Sequence, residues 1–143
     1  MTISKFQLLQ HLPHLLRRAH FEADALFPSI YGDGLTSRQL ALLVAVAQRP
    51  GGSQSQVAQD IGLDLNTCSD LVQRTASKGL LKRERSSVDG RSFCLFLTDD
   101  GERALVDSTG KAVEYRDAVA RRLSASEREQ LIGLLRKMLG FDR

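Results

Sequence analysis

Residues 53–97 read SQSQVAQDIGLDLNTCSDLVQRTASKGLLKRERSSVDGRSFCLFL. This spacing predicts two short helices, a tight connection and a β-hairpin with a charged tip. Ser53 and Gln56 make an S-x-x-Q capping box, and Val57, Ala58 and Ile61 form the apolar side of the helix it opens. Gly62 supplies a left-handed stop, with Leu63 as its hydrophobic contact. Asp64 caps the next helix. There Leu65, Cys68, Leu71, Val72 and Thr75 recur at three- and four-residue intervals as an inward stripe. Asn66, Ser69, Asp70, Gln73, Arg74 and Ser77 are its polar complement, a set rich in groups that can read base edges. After Lys78 and Gly79, residues 81–85 and 91–97 read as strands. Asp89-Gly90 is a type I′ turn signal, and Phe93, Leu95 and Leu97 alternate with Ser92, Cys94 and Phe96.

Working outward from this core, Leu35-Thr36 with Gln39, the 53–57 opening, Gly62-Leu63-Asp64, Lys78-Gly79-Leu80-Leu81, Arg83, Asp89-Gly90-Arg91 and Leu97-Thr98 with Gly101 fall in a fixed order. In that order and spacing the chain resembles the MarR family of winged-helix transcription regulators. The resemblance implies a mainly α fold with a small β-hairpin wing. It implies a winged helix-turn-helix over 35–98 and dimerisation helices over 1–30 and 99–143, all in one chain of 143 residues. It further implies a homodimer that places two recognition helices in successive major grooves of double-stranded DNA, hence an inverted-repeat operator. On that reading Asn66, Thr67, Ser69, Asp70, Gln73 and Arg74 contact bases and phosphates, and Ser53 and Gln54 meet phosphate at a helix N-terminus. Arg83 and Arg85 lie at the wing base. Arg91 has the position of the wing arginine that enters the minor groove, with Asp89 as its acidic companion. The plain alternative for Asp89 and Arg91 is a surface ion pair worth about 0–1 kcal/mol. Asp70 stands where many relatives carry a base, which bears on the operator sequence, since a carboxylate accepts from cytosine. Thr75 replaces a large apolar residue, and its hydroxyl can back-bond within the helix.

Composition agrees with a nucleic-acid partner. The net charge of +3 is mild, but residues 66–97 hold six bases against three acids, a surplus equal to that of the whole chain. A basic patch beside a helix-turn-helix favours a phosphate backbone. Two cysteines do not make a disulfide framework, and Cys68 and Cys94 read as small core residues. With no membrane-length apolar run and no leader pattern, a cytoplasmic protein is expected.

The rest of the chain reads as helix. Residues 1–27 carry a stripe of Leu12, Leu16, Ala19, Ala23, Leu26 and Phe27, interrupted at Pro13 and ended by Pro28. Residues 29–34 are a connector. Thr36 and Gln39 open a helix with Leu40, Leu43, Val44 and Ala47 inward, and Arg49-Pro50-Gly51-Gly52 is a loop. Thr98 caps a long helix that runs to Leu123, with Asp99 and Asp100 in its first turn. Ser124 and Glu127 open a last helix with Leu131, Leu134, Leu135, Met138 and Leu139 on one side.

Relatives commonly release DNA when a small ligand, often an aromatic acid, enters beside the dimer helices. His14, Arg17, Arg18, His20, Phe21, Tyr31 and Arg38, with His11 nearby, form a candidate set for an anionic aromatic effector or a coenzyme A thioester; the plain alternative is a solvated helix face. The histidines complete no tetrahedral metal set, no cofactor is implied, and the first helices hold no redox cysteine. Neither a phosphate loop nor a nucleophile elbow is present, so an enzyme is not expected. A rival from another class is a winged-helix module that binds protein instead of DNA.

Overall fold

A computed structural model describes residues 2–141; Met1, Asp142 and Arg143, the ends of the expected 1–30 and 99–143 segments, lie outside them. The chain divides into two units, one of residues 27–112 and one of residues 1–26 with 113–143.

The 27–112 unit is built on helix α2, Ser37–Gln48. The Thr36 hydroxyl accepts from Gln39 N–H, and the Gln39 side chain accepts from Thr36 N–H, both at 3.1 Å. α2 is packed by α3 (Gln54–Ile61), α4 (Leu65–Ser77), α5 (Asp99–Thr109) and strand β2 (Phe93–Leu97). With neighbours on several sides it buries Leu42, Leu43, Ala45 and Val46, whereas Leu40, Val44 and Ala47 are only half-buried. The expected inward face therefore holds only at Leu43. Val57, Ala58, Cys68, Val72, Leu81 and Leu95 complete the core.

α3 and α4 follow the sequence closely. The Ser53–Gln56 box is formed at 3.1 Å in both directions. Gly62 ends α3 at φ 73°, a conformation that suits glycine, and Leu63 N–H reaches back to the Ala58 carbonyl. Asp64 accepts from Thr67 N–H at 2.8 Å and from the Thr67 hydroxyl at 2.7 Å. Along α4, Cys68, Val72 and Thr75 are fully buried, and the Thr75 hydroxyl donates to the Leu71 carbonyl at 2.7 Å. Leu65, expected on this stripe, is 56% exposed, because at the first position of the helix it lies beyond the reach of the core.

The wing pairs β1, Leu81–Arg85, with β2 in antiparallel register, from Leu81 opposite Leu97 to Arg85 opposite Phe93. The second strand starts at Phe93 and not at Arg91. The type I′ turn is absent: neither Asp89 nor Gly90 has a positive φ. A seven-residue tip, 86–92, replaces it. Ser86 Oγ accepts from the N–H groups of Val88 and Asp89, and the Asp89 carboxylate accepts from Arg91 N–H at 3.0 Å. Such side-chain-to-backbone bonds do the work otherwise done by left-handed residues. The 49–52 loop also carries more order than expected, since Gly51 and Gly52 exchange backbone hydrogen bonds with Leu95.

Both prolines of the first helix behave unexpectedly. α1 spans Leu12–Tyr31, after short 3₁₀ turns at Ile3–Lys5 and Leu8–Gln10. Pro13 lies in its first turn, where a missing N–H costs nothing. Pro28 lies inside the helix without ending it; Gly32, at φ 78°, does that. The expected helix over 98–123 is two: α5 stops at Thr109 before Gly110, and α6 spans Ala112–Val119.

In the other unit, α7 spans Ala125–Met138 behind the Ser124–Glu127 capping box. Tyr115 Oη donates to the Ala23 carbonyl at 2.7 Å, and Arg128 binds Asp117 and the Ala120 carbonyl. Among the described residues of this unit none is buried. Leu12, Leu16, Leu131, Leu134, Met138 and Leu139 are all exposed, Leu134 at 64%.

Candidate nucleic-acid interface

Three elements of the 27–112 unit carry the expected DNA contacts. On α4, Asn66, Asp70, Gln73 and Arg74 are exposed, and Thr67 and Ser69 are half-buried. Among the described residues, the side chains of Asn66, Asp70, Gln73 and Arg74 make no hydrogen bond or ion pair within the chain. Thr67 is committed to its bond with Asp64. The Asp64 carboxyl is held below the ordinary carboxylate range, first by the Thr67 N–H and then by its hydroxyl. α4 is thus fixed at its start by a charged cap. Cys68, on its inner side, has its thiol pushed up by burial and then by the Asp64 carboxylate, which makes thiolate formation unfavourable.

At the other end of α4, Lys78 Nζ donates to Gln39 Oε1 at 2.8 Å and to the Gly34 carbonyl at 3.1 Å. This lysine, counted in the basic patch, is engaged in holding the helix to the start of α2. No spacing rule links Lys78 to Gln39, since they are 39 residues apart.

Ser53 and Gln54 stand at the N-terminus of α3, and Ser53 bridges to Cys94 of β2, which sets this terminus beside the wing. Ser53 Oγ is used by the capping box, and Gln54 Oε1 is buried without a partner among the described residues.

On the wing, Arg83 and Arg85 share one face of β1. Their guanidinium carbons lie 4.7 and 5.3 Å from the centroid of the Phe93 ring. Arg85 also donates to the Gly90 carbonyl at 2.8 Å. Arg91 is exposed beyond it. Asp89 holds the backbone of the turn, and among the described residues it makes no side-chain ion pair with Arg91. Two contributors escaped the sequence reading. Ser86 organises the tip, and Phe93 lies under both arginines. An R-x-R strand opposite an aromatic residue was the available signal.

The candidate effector residues fall in both units. His14, Arg17, Arg18 and Phe21 follow the i, i+3, i+4, i+7 spacing of one helix face; His14 is half-buried and the others exposed. His20 is off that face, 3.3 Å from Asp24. In the 27–112 unit, Tyr31 is stacked on Phe27 with ring centroids 4.3 Å apart, and burial pushes its hydroxyl pKa up. Arg38 is exposed on α2. None of the seven lines the small cavity of about 160 Å³ beside Ala19, Glu22, Leu123 and Leu131. No helix is long and apolar enough to cross a membrane among the described residues.

Residues 33–92 match the model of the MarR family. The chain is 33% identical, over 110 residues, to a putative transcriptional regulatory protein for the hcr operon of Thauera aromatica. That match covers 77% of this chain and 66% of the relative. The fold is similar to the PcaV transcriptional regulator of Streptomyces coelicolor, solved in complex with its natural ligand. The TM-score is 0.88, with 30% identity and 98% of each chain covered. It is also similar to the transcriptional repressor CouR bound to a 23-mer DNA duplex, at TM-score 0.84 and 25% identity, with 97% of this chain and 99% of CouR covered.

Proposed function

This chain belongs to the MarR family of winged-helix transcription regulators, and we propose that it works in the cytoplasm as a homodimeric repressor of an inverted-repeat operator, released by a small effector. That it is a DNA-binding regulator and not an enzyme follows from the family. The observation that carries the finer reading is the outer face of α4. Among the described residues the side chains of Asn66, Asp70, Gln73 and Arg74 are unpaired within the chain, and they lie on a helix fixed at both ends, by Asp64 and by Lys78. Rigid backbone with uncommitted side chains is what base readout needs.

The dimer is supported by the 1–26 and 113–143 unit. None of the described residues of this unit is buried; amphipathic helices of that kind do not hold together well alone, and their exposed leucines need a covering surface. The proposed dimerisation segments remain 1–30 and 99–143. Two copies would present their recognition helices about 34 Å apart along the duplex.

For the effector, the basic and aromatic face of His14, Arg17, Arg18 and Phe21 suits an anionic aromatic compound or its coenzyme A thioester. The ligand-bound PcaV structure supports small-molecule control in a similar protein. Footprinting on the promoter of its own gene, with and without a panel of aromatic acids and thioesters, tests the whole proposal. A protected inverted repeat released by one compound is expected. Protection that no compound alters overturns the effector reading, and no protection at low salt moves the chain to the protein-interaction class.

A further inference from the structure

We infer that Phe93 is a positioning residue for DNA binding, a platform that holds Arg83 and Arg85 ready for phosphate and fixes the wing tip beside Arg91. The inference rests on the DNA-binding role of the wing proposed above.

The register places Phe93 opposite Arg85 and Leu95 opposite Arg83, so all four share one face of the hairpin. Leu95 is fully buried and anchors that face to the core. The only acid of β1, Glu84, is on the opposite face and pairs with Lys82 at 3.4 Å. Among the described residues neither Arg83 nor Arg85 meets a carboxylate. Two guanidiniums two residues apart repel, and the Phe93 ring is what holds them, at 4.7 and 5.3 Å from its centroid.

Each guanidinium carbon lies within cation–π distance of the ring, and an arginine rests on an aromatic ring by its flat face. The guanidinium N–H donors lie in the plane, where they can meet phosphate oxygens without leaving the ring. Arg85 uses one of them on the Gly90 carbonyl, one residue before Arg91. Ring, guanidinium and turn carbonyl therefore form one chain of contacts from the strand to the tip. A seven-residue tip that is ordered before DNA arrives loses less entropy on binding.

The test is operator affinity at matched salt, measured by fluorescence anisotropy on the full chain. Failure of the unaltered protein to bind DNA would refute the regulatory reading itself. Given that binding, Phe93→Leu is expected to weaken it about tenfold. Phe93→Tyr, which keeps the platform, should stay within about twofold. In a background of Arg83→Lys with Arg85→Lys, which keeps charge and removes the planar guanidiniums, Phe93→Leu should add no further loss. An unchanged affinity for Phe93→Leu, or a loss that adds fully in the lysine background, would overturn the proposal. Where Phe93→Leu lowers the melting temperature, the lysine double variant alone decides: affinity equal to that of the unaltered protein also overturns it.

Discussion

Arg91 lies exposed on a tip whose backbone is bonded by Asp89 and Ser86, and among the described residues its own side chain makes no hydrogen bond or ion pair. Arg91→Ala should therefore leave the melting temperature in place and weaken operator binding by about 1–3 kcal/mol. An unchanged dissociation constant at matched salt removes Arg91 from the interface. Asp64 behaves oppositely, since its carboxylate caps α4. Its pKa is lowered on folding, so the folded state binds its proton less readily than the unfolded chain. The stabilisation is present above the unfolded value of about 3.9 and is lost as pH falls through the lower folded value. Asp64→Asn should lower stability at pH 7 and flatten its loss in acid; urea titrations at both pH values measure this. A variant as acid-sensitive as the parent would argue against the cap.

At the scale of elements, the joint between α4, the wing and α5 tolerates no extra atom. A Cβ on Gly101 would lie 1.9 Å from the Leu80 carbonyl oxygen, backbone that also accepts from Thr98 N–H. Gly101→Ala should destabilise by about 2–3 kcal/mol, read as a lowered denaturation midpoint; a midpoint within error of the parent would mean that the joint moves freely. The helices were legible where a local rule fixes an end, as at the Thr36, Ser53, Asp64, Thr98 and Ser124 caps. They were less so where the outcome depends on remote packing. Pro28 sits within α1 although proline disfavours helix interiors, and α2 turned Leu42 and Val46 to the core because neighbours surround it. The wing turn misled for a different reason. Asp89-Gly90 fits a two-residue turn, but Ser86 captures two backbone N–H groups and a wider tip results. The basic residues of the site could be found by position, whereas Lys78 is withdrawn by Gln39 and Gly34 and the Phe93 platform needs the strand register.

For the molecule as a whole, the two units differ in what they can do alone. Among the described residues, all the buried ones lie in the 27–112 unit and none in the 1–26 with 113–143 unit. The proposed dimer can be tested at Leu134, which is exposed within the chain, more cleanly than at half-buried Leu135. Leu134→Glu should give monomers by sedimentation while helical content in the winged unit persists. A variant that sediments as an intact dimer would place the interface elsewhere.

On α4, the residues that hold the fold and those that face outward are different residues. Cys68, Val72 and Thr75 are sealed in the core, and Asn66, Asp70, Gln73 and Arg74 are exposed, with no side-chain hydrogen bond or ion pair among the described residues. Surface changes of that kind usually alter stability by no more than about 0.5 kcal/mol. On the proposed reading of these residues, the lineage of this protein can thus drift to a new operator, one outer residue at a time, while every intermediate still folds. The same separation lets an experimenter screen libraries at those four positions for altered DNA preference without first having to rescue stability.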